Sequence, residues 1–417
     1  MAEDLNPHRS HNRIEALDFL RGVAVLGILA INITGFWGPS LAVFSPALPY
    51  PEAGADGWFA LSFVLFEGKM RALFTLLFGA SMVLFAQAAE RQGIDPTIAQ
   101  ARRLMWLMLF GYLHFALLWW GDILFAYALC GLVALLFAHQ SPQRLLAMAV
   151  PFYVLAQGFE ALLDLPGIFT EQAVLAGTAP DTDMAEQAAM MDRIAALVAQ
   201  DNAVLNAGFF AAVRLRLAQS ALQPLTSTIS NFTETLPLML IGMALLRIGM
   251  FSGWQRRKLA LVAVSGIGLG ILPTVLALHW LMAHNWPPRA MFAAIEHGMA
   301  VPHLLMAIGY AAGLVLVFPH VQATAMGLRL TAAGRCAFTN YIGTTVLMGA
   351  IFSGWGLGLG TGGPEPALPR AWLPAFVLLG WAAMLVWPRW WLARYRQGPL
   401  EALWRRLALP RANLATH

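Results

Sequence analysis

The sequence predicts an all-α, polytopic membrane helix bundle of about ten spans with both termini in the cytoplasm. Three observations predict it. Hydrophobic residues make up 59% of the 417 and charged residues only 12%, with a mean hydropathy of +0.64, a balance foreign to soluble domains of this length. Ten stretches are apolar over the roughly 20 residues needed to cross a bilayer. The basic residues edge those stretches instead of clustering in one patch, so the pI near 9.3 points to a membrane surface and not to nucleic acid.

Leu17 to Trp37 is the first span. It follows a basic leader with Arg9 and Arg13 but is too long for a signal-peptide core and lacks a small-residue cleavage site, so it reads as an uncleaved helix. Gly57 to Ala88 exceeds what a bilayer requires and is interrupted by Glu67, Gly68, Lys69 and Arg71, which predicts one broken or strongly tilted crossing. Leu104 to Trp120 and Asp122 to Ala138 follow, parted at Gly121, and then Leu145 to Leu163. The interval 164–223 is the longest polar stretch, carries Asp181, Asp183, Glu186, Asp192 and Asp201, and reads as an extracytoplasmic cap with helical spacing near Met190 to Leu205. Leu225 to Leu246, Leu259 to Met282, Met299 to Phe318, Cys336 to Gly356 and Trp372 to Trp391 complete the ten. The Gly-rich run Gly354 to Gly363 lacks the Gly-Lys-Ser/Thr ending of a phosphate loop and reads as an outer loop. The tail 392–417 is basic, with Trp404 and Leu407, and suits an amphipathic segment on the anionic inner leaflet. The whole of 1–417 is then one integral membrane domain. With the N-terminus inside, nineteen of the 26 basic residues fall on the cytoplasmic side, five outside, and Lys69 and Arg71 within a span.

Charges at membrane depth are costly, so those present belong to a protein interior or a wet cavity and are functional candidates. His114 and Asp122 lie eight residues apart, roughly 12 Å of helical rise, so a contact between them needs a bend or an unwound end at Gly121. A neutral imidazole there could take a proton from an attacking hydroxyl or amine, with Asn32 holding a carbonyl oxygen as charge develops on it; a buried His tying two helices together is the plainer reading. Glu67, Lys69 and Arg71 could meet the phosphates of a donor or form an internal ion-pair set. Asp18 and Arg21 stand one turn apart at the cytoplasmic mouth of the first helix. Glu234 could counter Lys69 or Arg71, and Arg335, Asn340 and Tyr341 have polar tips suited to a cavity wall, although interfacial anchoring accounts equally for Arg335 and Tyr341. Together these residues are expected to line one shared chamber. His279, His284, His297 and His303 lack helical metal-pair spacing, and Cys130 and Cys336 lie within apolar spans, so neither a metal site nor a disulfide framework is expected.

Four segments carry a resemblance: Arg13 to Gly22 running into Gly27 to Asn32; Phe66 to Gly79; Arg102-Arg103 with Gly111 to His114 and Trp120 to Asp122; and Gly334-Arg335 with Thr339 to Tyr341, closed by Gly398 to Leu407. Together they resemble the YeiB-like bacterial membrane proteins, a group labelled as a domain of unknown function. That group looks like a distant relative of the transmembrane acyltransferases, which take an acyl group from cytoplasmic acyl-CoA and deliver it across the membrane. In many acyltransferase-3 members, which modify surface sugars, an Arg in the first span is followed eleven residues later by a His; here Arg21 matches the Arg and Asn32 occupies the other place, as Asn also does in the lysosomal enzyme that acetylates heparan sulfate, but where that enzyme supplies a His a further eleven residues on, this chain has Val43. The resemblance implies a bacterial inner-membrane protein with the lipid bilayer as its environment and no resident cofactor. It implies acyl-CoA, acetyl-CoA included, as donor co-substrate and a hydroxyl or amine acceptor whose identity the residues do not specify. A small-solute transporter or permease hinged at Gly266 to Pro273, and a non-catalytic membrane assembly partner, are the alternatives.

Overall fold

A computed structural model describes residues 7–49, 56–360 and 367–408, with side chains from residue 15 onward. Arg9, Arg13, Gly362, Gly363 and the end of the tail from 409, with Arg411, therefore lie outside what is described at side-chain level. Every regular element among the described residues is helical, as a chain that must satisfy its backbone within lipid requires. In order these are α1 (Pro7–Trp37), α2 (Asp56–Leu65), α3 (Lys69–Glu90), α4 (Pro96–Leu117), α5 (Leu124–Ala134), α6 (Pro142–Leu175), α7 (Asp181–Leu205), α8 (Phe209–Ser220), α9 (Gln223–Ser230), α10 (Phe232–Arg247), α11 (Arg256–Ala283), α12 (Pro288–Ala293), α13 (Ala300–Val321), α14 (Ala325–Arg335), α15 (Ala337–Phe352), α16 (Leu373–Leu392) and α17 (Pro399–Ala408).

All ten apolar stretches are helical, but they are not ten equal spans. Six helical segments are long and apolar enough to cross a membrane, and a seventh counts if the bent pair α9–α10 is one span. The expectation of ten is corrected at four places. Leu225 to Leu246 breaks at Asn231 into two helices inclined at 68°; Asp122 to Ala138 and Cys336 to Gly356 yield only the short apolar helices Leu124–Phe137 and Ala337–Phe352; and α4 is long but carries a polar, basic first half. Gly57 to Ala88 is broken, as its charges suggest: α2 ends at Leu65, and Gly68 at φ 69 opens α3. That left-handed conformation suits glycine, and a Cβ there would also collide with the His303 ring at 1.9 Å. Helix α6 runs to Leu175, twelve residues beyond the expected span, so the interval 164–223 consists of its end plus α7, α8 and the start of α9.

The centre of the bundle is α1, whose apolar window is 67% buried, whereas the windows of α6, α11 and α16 are 22–28% buried and form the rim. Around α1 pack α3, α14, α15 and α16, and α10 fills the space between α3, α5 and α6. The α1–α14 crossing is a backbone-to-backbone contact through Gly22 and Gly334, the small-residue packing that membrane helices use in place of a hydrophobic drive. It brings Asp18 and Arg21 to the same cavity wall as Arg335.

Candidate functional site

Helix α4 stops at Leu117, and residues 118–123 turn back before α5 begins, which supplies the unwound end that contact between His114 and Asp122 demands. Asp122 Oδ1 lies 2.8 Å from His114 Nδ1, and both side chains are 1% exposed. The other carboxylate oxygen accepts from the Phe125 backbone N–H at 2.8 Å, so one side chain caps α5 and orients the imidazole. Room for this comes from Gly111, where a Cβ would stand 2.8 Å from that oxygen and 2.3 Å from the Phe125 nitrogen. The turn is pinned from two sides. Tyr341 Oη donates to the Gly121 carbonyl at 3.1 Å, and Arg216 on α8 donates to the carbonyls of Phe115, Ala116 and Leu118 at the frayed end of α4. On its far side His114 Nε2 meets Thr345 Oγ1 at 3.1 Å, and the Tyr341 ring packs 5.1 Å from the imidazole.

A cavity of about 520 Å³ runs from the end of the bundle where α1, α4 and α15 begin down to Tyr341. Its mouth carries Arg21, Arg103, Arg335, Arg396 and Arg405 against Asp18 and Glu401; its throat is Phe74, Leu77, Phe78, Leu124 and Tyr127. Arg21 pairs with Asp18 at 2.6 Å, and Arg335 donates to the Arg396 carbonyl at 2.8 Å. Arg103 lies over the rings of Trp404 at 4.3 Å and Phe85 at 4.8 Å, which fixes its plane. Trp404 reaches this place because α17 lies against α4 and α15; its indole N–H donates to the Arg103 carbonyl at 2.8 Å and its ring packs on Phe338. Glu401 accepts from the N–H groups of Phe338 and Thr339 and from the Thr339 hydroxyl; burial raises its carboxyl above the ordinary range, against those bonds.

The structure divides the expected single chamber in two. Arg21, Asp18, Arg335 and Tyr341 line the cavity. Asn32 lies beyond Tyr341, in a small hollow of about 10 Å³ shared with Thr344 and Thr345. Glu67, Lys69, Arg71 and Glu234 line neither, nor do His114 and Asp122, which meet the cavity wall through Tyr341. Arg71 pairs with Glu234 at 3.2 Å; Lys69, fully buried, donates to the Phe63 carbonyl at 2.6 Å and faces its ring; and Glu67 accepts from the Gly68 N–H. Tyr127 touches both this cluster and the cavity, lining the throat while its hydroxyl meets Thr75 at 2.6 Å and the Arg71 carbonyl at 3.4 Å. Asn340 is no wall residue of the cavity either: its side chain accepts from Trp387 at 2.7 Å and donates to the Ala333 carbonyl, locking α14, α15 and α16.

Sequence reasoning passes over Arg103, Arg396, Arg405, Trp404, Arg216 and Thr345 as site residues. The arginines look like ordinary end anchors, and only their convergence reveals a basic mouth. Thr345 is one hydroxyl in an apolar run with nothing in its neighbours to mark it.

A family model described as a protein of unknown function, DUF418, matches residues 245–411. The chain is 30% identical over 411 residues to the uncharacterized protein YeiB of Escherichia coli K12, covering 96% of this chain and 97% of that one. It is 28% identical over 423 residues to the uncharacterized protein YxaH of Bacillus subtilis 168, covering 96% and 95%. No solved structure matches the chain significantly.

Proposed function

The chain belongs to the YeiB-like DUF418 family, and we propose that it is a bacterial inner-membrane acyltransferase that takes an acyl group from cytoplasmic acyl-CoA and delivers it to a hydroxyl or amine on the far side. The observation that carries this reading is the cavity: five arginines at its mouth, an aromatic and aliphatic throat, and a floor at Tyr341 against the His114–Asp122 pair. An amphiphile with a polyanionic head and an apolar reactive arm is the ligand such a gradient selects, since guanidinium groups match phosphate oxygens in charge and geometry. CoA thioesters have that form. Arg103 and His114 lie eleven residues apart on α4, about 16 Å of helix; Arg103 lines the mouth, and His114 is met from the cavity only across the Tyr341 ring, 5.1 Å from the imidazole.

In this reading the phosphates sit among Arg21, Arg103, Arg335, Arg396 and Arg405, and the thioester end reaches Tyr341. Asp122 holds the imidazole with Nδ1 protonated, leaving Nε2 to accept a proton at the reacting end. Asn32 sits beyond Tyr341 to receive the thioester oxygen as it gains charge. The orientation belongs to the same proposal. Both termini and the arginine mouth face the cytoplasm by the positive-inside rule, the ten helical stretches all traverse or enter the bilayer, and 164–223 caps the opposite face.

Thermal unfolding of the detergent-solubilised protein tests the reading. A ligand that binds only the folded state stabilises it by about 2.7 kcal/mol at a hundredfold excess over Kd, so acetyl-CoA and free CoA should both raise the melting temperature, and Arg21→Ala with Arg335→Ala should abolish the rise. No shift at millimolar CoA would remove the donor site and leave transport of another solute as the better reading.

A further inference from the structure

We propose that Thr345 is the acyl-carrying nucleophile of this site, loaded by a short-chain thioester and unloaded by the acceptor; the inference rests on the acyl-transfer reading above. Asp122 Oδ1, the two nitrogens of His114 and Thr345 Oγ1 form one chain of contacts at 2.8 and 3.1 Å. An ionised carboxylate only accepts hydrogen bonds, so Nδ1 carries the ring proton and the Nε2 lone pair faces the threonine hydroxyl. Carboxylate, imidazole and hydroxyl in that order constitute the arrangement by which a weak alcohol is made nucleophilic.

The neighbouring residue shows that this is more than a satisfied helix hydroxyl. Among the described residues Thr344 bonds within its own helix, to the carbonyls of Asn340 and Tyr341, the ordinary recourse of a threonine in a membrane helix. Thr345 has the same recourse, the Tyr341 carbonyl at 3.1 Å, and still meets an imidazole from another helix. Its hydroxyl has one proton and two acceptors, so attack requires only that the proton lie toward Nε2.

Position supports the assignment as well. Thr345 and Asn32 line the small hollow, and Tyr341 lines both the hollow and the donor cavity. Tyr341 is therefore the partition between the arginine-mouthed slot and the reacting hydroxyl. The hollow, about 10 Å³, holds one water at most, so even an acetyl group enters only if the Tyr341 ring moves aside, and longer acyl chains are excluded. In the first half-reaction Oγ1 attacks the thioester carbonyl carbon; the Oγ1–C bond forms, the C–S bond breaks, and the hydroxyl proton passes through Nε2 to the departing thiolate, giving free CoA thiol and a threonyl ester. In the second, an acceptor hydroxyl or amine attacks the ester carbonyl carbon; the new O–C or N–C bond forms, the C–Oγ1 bond breaks, and the acceptor's proton returns through Nε2 to Oγ1. A covalent relay lets donor and acceptor occupy opposite faces in turn, with no open path through the bundle.

The test is to incubate the full-length protein in detergent with acetyl-CoA and no acceptor, quench in acid, and map acetylated peptides by mass spectrometry, beside CoA release and the thermal shift for wild type, Thr345→Val and Thr345→Ser. The proposal expects one acetyl group on Thr345 in the wild type and an adduct at the same position in Thr345→Ser, which keeps a hydroxyl there. It expects loss of the adduct and a roughly thousandfold fall in CoA release for Thr345→Val, while the CoA thermal shift persists. Acetyl found on another residue, or His114-dependent CoA release that survives Thr345→Val, overturns the nucleophile and leaves the acyl-transfer reading standing. A CoA shift with neither adduct nor CoA release in the wild type overturns the nucleophile alone; absence of any CoA shift overturns both.

Discussion

Replacing Gly334 by Ala tests whether the α1–α14 crossing sets the wall of the arginine-mouthed cavity. A Cβ at Gly334 would stand 1.7 Å from the Asp18 carbonyl oxygen and 2.7 Å from the Gly22 nitrogen, where ordinary contact begins at about 3.4 Å. Both obstacles are backbone, so no side chain can rotate away, and the helices must part by about 1.5 Å over their closest turn. Overpacking typically costs about 1–3 kcal/mol; with rigid atoms on both sides the upper end applies, against which the helix-propensity gain of about 1 kcal/mol for Gly→Ala is smaller. Because Asp18 and Arg21 ride on that turn of α1, the same shift should move them from Arg335 and blunt the proposed response to CoA. Gly343→Ala on α15 is the control, since nothing lies within 4 Å of a Cβ there and only the propensity gain remains. The assay is thermal unfolding in detergent with and without CoA. Gly334→Ala should melt several degrees below wild type and Gly343→Ala at or above it; a Gly334→Ala protein as stable as wild type, with its CoA shift intact, would refute the reasoning.

Other expectations follow from the same geometry. Asp122→Asn keeps the size of the side chain but has one acceptor oxygen for two donors. With that oxygen on the Phe125 N–H its NH2 faces Nδ1 and selects the wrong tautomer, so acyl transfer should drop by about 10⁴ while CoA binding is kept; transfer rates close to those of wild type would show that the pair is only a tie between helices. Glu234→Gln takes the counter-charge from Arg71, whose side chain is 29% exposed, and should lower stability by about 1–2 kcal/mol after allowing for screening without changing the CoA Kd; a markedly weaker Kd would place the Arg71 cluster in the donor site after all. Arg216→Ala frees the carbonyls of Phe115, Ala116 and Leu118, at about 1.5–3 kcal/mol for bonds from a charged donor, and should loosen the turn holding Asp122; hydrogen exchange at residues 114–123 unchanged from wild type would contradict this.

The helical class is legible because continuous apolar length is a one-dimensional property, and so is the interruption at Glu67 to Arg71, where charge and glycine break such a run. The link between His114 and Asp122 is legible only as a condition, since it hangs on where α4 unwinds. Hydropathy overstates the number of full-length spans: it registers Leu225 to Leu246 as one run and cannot see that Asn231 turns it through 68°. Helices apolar on every face carry little 3.6-residue periodicity, so nothing in the sequence tells whether Lys69 and Arg71 or Arg103 and Arg335 face the cavity. Desolvation decides that in three dimensions: Lys69 is sealed against Phe63, whereas the arginines that converge come from α1, α4, α14 and the segment that carries α17. Asn340 likewise has the look of a wall residue until Trp387 supplies its partner.

The most direct measurement is a cryo-electron-microscopy structure of the protein with a non-hydrolysable acetyl-CoA analogue at saturation. The account predicts phosphate density among Arg21, Arg103, Arg335 and Arg405, with the acyl end at Tyr341 beside His114 and Thr345. An analogue bound elsewhere, or a cavity filled by lipid acyl chains at saturating analogue, would contradict it.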